Sequence, residues 1–112
     1  FIRYRFDHNS FIITKIITYP NPFSESVSFV FEHNQPCCQL DINIEIYSIM
    51  GQLVKTINTS VETSGYVTLP ITWNAISNDG KFVGPGFYIY KLTVKNKEGK
   101  SQQETGKLIL IK

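Results

Sequence analysis

No stretch of the sequence approaches the about 18 uninterrupted apolar residues of a membrane-crossing helix, which excludes a transmembrane helix. Charge of one sign is also lacking: eleven Lys and Arg stand against nine Asp and Glu, a net charge of +2. The basic residues form no run, so the electrostatic footprint of a nucleic-acid partner is missing. No signal peptide and no initiator Met are visible, since the chain opens on Phe1. It reads as a piece of a longer protein or a trimmed form. Cysteine is scarce, with only the neighbours Cys37 and Cys38. A bridge between adjacent residues is far from relaxed disulfide geometry, and two adjacent thiols lack ligand spacing for a metal. They read as a plain loop pair.

What the chain has in quantity is aromatic side chains: eight Phe, six Tyr and one Trp among 112 residues. Such residues suit pleated, half-buried surfaces. The length is that of one domain, and 42% apolar with 18% charged residues is ordinary for a globular one. Sustained 3.6-residue periodicity is absent, whereas period-two alternation recurs. Val27, Phe29 and Phe31 alternate with polar or smaller neighbours. Leu40, Ile42, Ile44 and Ile46 make the cleanest strand. Leu69, Ile71 and Trp73 share one face. Tyr88, Tyr90, Leu92 and Val94 share another, opposite Ile89 and Lys91. Leu108 to Ile111 is apolar on both faces.

Turn chemistry separates these runs. Met50-Gly51-Gln52 predicts a tight hairpin with Gly51 at positive φ. Asn78-Asp79-Gly80, Gly84-Pro85-Gly86 and Asn96-Lys97-Glu98-Gly99 are further turns. Tyr19-Pro20-Asn21-Pro22 predicts a rigid extended corner. Residues 58–66, the most polar connection, are expected to form an exposed loop. About seven strands at this spacing predict an all-β, Ig-like antiparallel sandwich. Residues 1–17, where Ile2, Tyr4 and Phe6 alternate and a strand from Phe11 to Tyr19 begins, are expected to be an edge strand or a linker from a preceding domain. Residues 18–112 form the domain proper.

Catalytic patterns are weak. His8 and His33 each have one neighbouring carboxylate, Asp7 and Glu32. Pairing His33 with Cys37 as base and thiolate lacks an orienting third group. Asp41 and Glu45 lie on one strand face about 13 Å apart, too far for a glycosidase pair on one strand. The turn at Asp79 lacks the spacing of a calcium loop. Trp73, Tyr88 and Tyr90 could stack a sugar, but one Trp and alternating Tyr in a sandwich more often fill its core. No metal, cofactor or catalytic residue is expected in this domain.

The order of motifs carries more. Tyr19-Pro20-Asn21-Pro22-Phe23 precedes Val27 to Phe31. Ile44 to Ser48 leads through Gly51 to Leu53, Val54 and Lys55. Then come Ile71-Thr72-Trp73-Asn74, Asn78-Asp79-Gly80-Lys81, Gly86-Phe87-Tyr88-Ile89-Tyr90 and Gly106-Lys107-Leu108-Ile109-Leu110. Over residues 18–112 this series resembles the C-terminal sorting domain of the type IX secretion system of Bacteroidota. Phe29 to Pro36, followed by Leu40-Asp41-Ile42, looks more narrowly like the domain that ends the system's own gingipain-like sortase, where it is kept rather than cleaved. The chain departs from the pattern at Ala75, where glycine is usual, and at Phe87, where a β-branched residue is common.

The resemblance implies a non-catalytic address tag, recognised at the periplasmic or outer-membrane stage by the translocon and a β-barrel shuttle protein. The protein carrying it would reach the outer membrane or cell surface. It also implies structural roles for Pro20, Asn21, Pro22, Gly51, Val54, Trp73, Gly80, Gly86, Tyr88 and Tyr90. A tag of this kind stands at the end of its chain. The final segment, apolar on both faces, is the natural candidate for the partner surface, at Lys107, Leu108, Ile109, Leu110, Ile111 and Lys112, through strand addition or groove docking. The competing readings are a surface adhesion, glycan-binding or structural module, and a fragment with hydrolytic activity of its own.

Overall fold

The structure, a computed structural model, describes residues 13–34, 39–62, 65–68 and 70–111. The expectations at Ile2, Tyr4, Phe6, Asp7, His8, Phe11, Cys37, Cys38, Leu69 and Lys112 lie outside the described residues. Seven strands follow in order: β1 Ile13–Tyr19, β2 Val27–His33, β3 Gln39–Ser48, β4 Leu53–Glu62, β5 Ile71–Trp73, β6 Gly86–Asn96 and β7 Ser101–Leu110. They form two antiparallel sheets, β1-β2-β5 and β4-β3-β6-β7, the layout of an Ig-like sandwich.

The period-two runs supply the inner faces. Val27, Phe29 and Phe31 of β2 face Leu40, Ile42, Ile44 and Ile46 of β3 and Tyr88, Tyr90, Leu92 and Val94 of β6 within one buried cluster. Aromatic pairs bridge the two sheets. Phe29 meets Tyr90 edge-on at 5.2 Å, and Trp73 meets Tyr88 edge-on at 5.9 Å. Trp73 is buried, and its indole N–H donates to the Ile76 carbonyl at 2.9 Å, so its one polar atom is satisfied inside the core. The glycan-platform reading of Trp73 therefore has no exposed ring to rest on.

The structure adds detail at three places. Residues 58–62 are not loop: β4 runs on to Glu62, paired with β3 from Glu62↔Gln39 to Asn58↔Asn43. Polar composition misled here because the outward residues of β4 find polar partners across the strand. The Asn43 side-chain amide donates to that of Asn58, and the Ser60 hydroxyl donates to Asp41 at 2.7 Å. The Pro20–Pro22 corner has cis peptide bonds before both Pro20 and Pro22. β1 also crosses the boundary drawn at residue 17, and its Ile13 is part of the core.

Turns fall where expected at Gly51, Gly80 and Gly99, whereas at Gly84-Pro85 the chain only bends before β6 begins at Gly86. Gly51 sits at φ +88°, with its N–H bonded to the Ser48 carbonyl at 2.9 Å. Ala75 holds a left-handed backbone at φ +66°, a conformation that costs a residue with a Cβ about 1–2 kcal/mol. Its methyl group is buried, however, which returns about 0.8 kcal/mol. Ala75→Gly should therefore be tolerated, with a gain of up to about 1 kcal/mol in urea denaturation. Ala75→Val, β-branched at positive φ, should destabilise clearly. Equal midpoints for both variants would contradict this.

Gly106 lies directly opposite Tyr90, and a Cβ there would collide with the Tyr90 ring and hydroxyl. That ring is held against Phe29 and cannot easily move aside. Gly106→Ala should cost about 1–3 kcal/mol by overpacking. Trp73→Ala should cost about 3–5 kcal/mol, much of a small domain's stability. A denaturation midpoint that barely moves in either variant would place these side chains elsewhere.

Candidate functional site

The structure brings the Pro20–Phe23 corner onto the end of β7. Pro20 and Pro22 have no N–H, so the corner's backbone is poor in donors. The Asn21 side chain takes over, because one amide carries both a donor and an acceptor. Its Nδ2 donates to the Lys107 carbonyl at 2.9 Å, and its Oδ1 accepts from the Ile109 N–H at 3.0 Å. Phe23 continues the pairing through its backbone. Its N–H donates to the Ile109 carbonyl at 2.8 Å, and its carbonyl accepts from the Ile111 N–H at 2.9 Å. The Phe23 ring is buried 5.9 Å from Trp73. The corner is thus a clasp that covers the outward backbone groups of β7 from Lys107 to Ile111.

The expected partner-binding segment separates by face. Leu108 and Leu110 point into the core and are buried. Ile109 is half-buried on the outer face of the four-stranded sheet, and Ile111 is exposed. Lys107 is exposed, with its Nζ 5.3 Å from the centre of the Phe87 ring, a cation–π contact. Strand addition along residues 107–111 finds its hydrogen bonds already made by the clasp. What the segment offers outward is side chains.

Those side chains continue an apolar surface. Across the outer face, Phe87 lies opposite Ile109, and Ile89 lies between Tyr47 and Lys107. Leu53 sits opposite Tyr47, and Ile49 and Met50 form the tip of the β3–β4 hairpin. Phe87, Ile89, Leu53, Ile49 and Met50 are all exposed. The next rows of the same face are polar: Lys91, Glu45 and Thr105, then Thr93, Asn43 and Gln103. Tyr47 donates its hydroxyl to Glu45 at 2.8 Å, and that bond holds the phenol above its ordinary pKa. Burial raises the phenols of Tyr88 and Tyr90, with Glu104 adding to the effect at Tyr90.

The other motif residues do not gather at this surface. Gly51 and Gly80 make turns, Gly86 begins β6 opposite Leu110, and Trp73, Tyr88 and Tyr90 fill the core. Val54 receives the Asn78 N–H on its carbonyl at 2.9 Å, while the Asn78 Oδ1 accepts from the Thr56 N–H at 3.1 Å. Asn78 therefore covers part of the β4 edge as Asn21 covers part of β7. Sequence reasoning did not assign the outer-face residues Tyr47, Leu53, Phe87 and Ile89 to a surface. Their signal was present: apolar residues at positions out of phase with each strand's core face. Among the described residues, no three His, Cys, Asp or Glu side chains gather to hold a metal.

Fold and clasp together define an Ig-like sandwich closed on its last strand. The chain belongs to the family of secretion system C-terminal sorting domains, whose profile matches residues 17–111. Among solved structures it is similar to dimeric latent PorU from Porphyromonas gingivalis. The two are 30% identical with a TM-score of 0.76, over 91% of this chain and 9% of that one. A Bacteroides uniformis beta-glucuronidase shares the fold at 16% identity and a TM-score of 0.57, over 85% of this chain and 12% of that one. No curated protein matches. Membership makes the chain a type IX sorting-signal domain, of a secreted, cell-surface or outer-membrane-associated protein.

The clasp is testable by amide exchange. Asn21→Ala removes two hydrogen bonds at an exposed site, a cost of about 1–2 kcal/mol. Exchange should accelerate at Ile109 beyond the change seen at core amides such as that of Ile44. Unchanged protection at Ile109 would mean that Asn21 does not hold it.

Proposed function

We propose that this domain is an address tag without a catalytic step of its own. The type IX translocon and an outer-membrane β-barrel shuttle protein read it through the outer face around Ile109. The observation that carries this reading is the apolar surface of Ile109, Phe87, Ile89, Tyr47 and Leu53, two rows deep beside the last strand. A contiguous exposed apolar patch with a polar margin is the usual mark of a protein-interaction site. Lys107 stands at its margin and keeps the patch soluble when unbound. Identity of 30% to PorU supports a further step: this is the terminal domain kept on a sortase, with the catalytic machinery in another part of that protein. The outer membrane or cell surface, reached through the periplasm, is the destination this reading gives.

The test is surface delivery of a reporter fused to the domain, alongside binding to the purified shuttle protein. Removing Gly106–Lys112 should abolish both, although it also removes the core residues Leu108 and Leu110. The sharper variant is Phe87→Glu with Ile109→Lys, which changes only outer-face side chains, sets opposite charges across the pair, and should leave circular dichroism and the denaturation midpoint near the parent's. Delivery and shuttle binding should fall by at least about tenfold, the equivalent of about 1.4 kcal/mol. A folded double variant that is delivered normally would place recognition elsewhere.

A further inference from the structure

β7 is the last strand of its sheet, and the clasp covers only part of it. The bonds of Asn21 and Phe23 fix which groups point outward: those of the odd-numbered residues, since groups alternate along an antiparallel edge. The outward groups of Ser101, Gln103 and Thr105 therefore face away from β6, and no residue among those described pairs with them. All three residues are exposed. Edge strands of soluble domains are commonly blunted by proline, bulges or charge. This stretch has no proline, its register with β6 runs unbroken from Ser101↔Lys95 to Leu110↔Gly86, and its one charged residue is Glu104.

From this edge we infer that Ser101–Thr105 pairs antiparallel with the same segment of a second copy of the chain, about a twofold axis at Gln103. In that register Gln103 faces Gln103 of the second copy, and Ser101 faces its Thr105. Each of these pairs joins outward-pointing groups, so about six backbone hydrogen bonds form across the axis. On the other face Glu104 meets Gln102 of the second copy directly, with the second copy's Lys100 on one diagonal and its Glu104 on the other, both within reach of long side chains. No like charges stand directly opposite. The clasps set the limits of the paired stretch, because Asn21 occupies the edge from Lys107 onward on each copy. The product is one continuous sheet of eight strands, four from each copy. This pairing does not depend on the sorting function, and it leaves the outer face around Ile109 uncovered.

Five residues per strand bury much less than the about 1,600 Å² of a standard interface, so the dimer should be weak, with Kd between about 1 μM and 1 mM. Sedimentation equilibrium of the full chain over that range should show monomer and dimer in exchange. Gln103→Pro should abolish the dimer: the Gln103 N–H is not bonded to β6, and proline fits an edge strand whose N–H faces solvent. Circular dichroism checks that this variant stays folded. The register has its own test, which needs no proline. Lys100→Glu and Glu104→Lys should each weaken the dimer about threefold or more, and the double exchange should restore it. A chain that stays monomeric at about 1 mM overturns the inference, as does a dimer indifferent to Gln103→Pro in a folded variant. Failure of the charge exchange to restore association overturns this register.

Discussion

Phe23 holds its ring between the sheets against Trp73 while its backbone pairs with Ile109 and Ile111 on the outer edge of β7. The residue arrives from the connection between β1 and β2, strands of the three-stranded sheet, and closes onto the four-stranded one. One residue therefore ties the sheets together both by burial and by main-chain bonding. Around it the aromatic cluster is ordered in sequence: Phe23 on Trp73, Trp73 on Tyr88, with the indole N–H satisfied by Ile76. Aromatic packing of this kind is worth more than its area alone when the rings meet edge-on.

The clasp also decides what the last strand can do. A terminal strand with open backbone groups invites pairing anywhere along its length. Here Asn21 and Phe23 use those groups near the chain end and leave Ser101–Thr105 open. On the readings proposed above, main-chain pairing and side-chain recognition are thereby separated along one strand. The apolar residues beside Ile109 face outward with their backbone already bonded, as a docking face requires. The polar residues near Gln103 have backbone to offer and little apolar surface.

Two asparagines serve the same purpose at the two edges of the four-stranded sheet. Asn21 bonds to Lys107 and Ile109 entirely through its side chain, while Asn78 uses its backbone N–H and its side-chain oxygen on Val54 and Thr56. An amide side chain presents donor and acceptor much as a peptide unit does, so a single residue can stand in for a short strand. This gives Asn21 and Asn78 a physical role that turn propensity alone would not assign.

Much of the fold was legible because strand alternation is a local property. The inner faces of β2, β3 and β6 can be read directly from Val27–Phe31, Leu40–Ile46 and Tyr88–Val94, since a one-residue slip would turn every one of those side chains to solvent. The hairpin at Gly51 was legible for the same reason, as positive φ is a demand on one residue. The extent of β4 was not, because Asn58 and Ser60 become strand residues only when Asn43 and Asp41 stand across from them. The clasp was likewise out of reach: Asn21 and Ile109 are 88 residues apart, and nothing local to either records the other. The sequence by itself determined which faces are apolar and where the chain turns. Tertiary structure alone decided which edge groups are covered and which apolar side chains meet on the outer surface, because both depend on strands brought together from opposite ends of the chain.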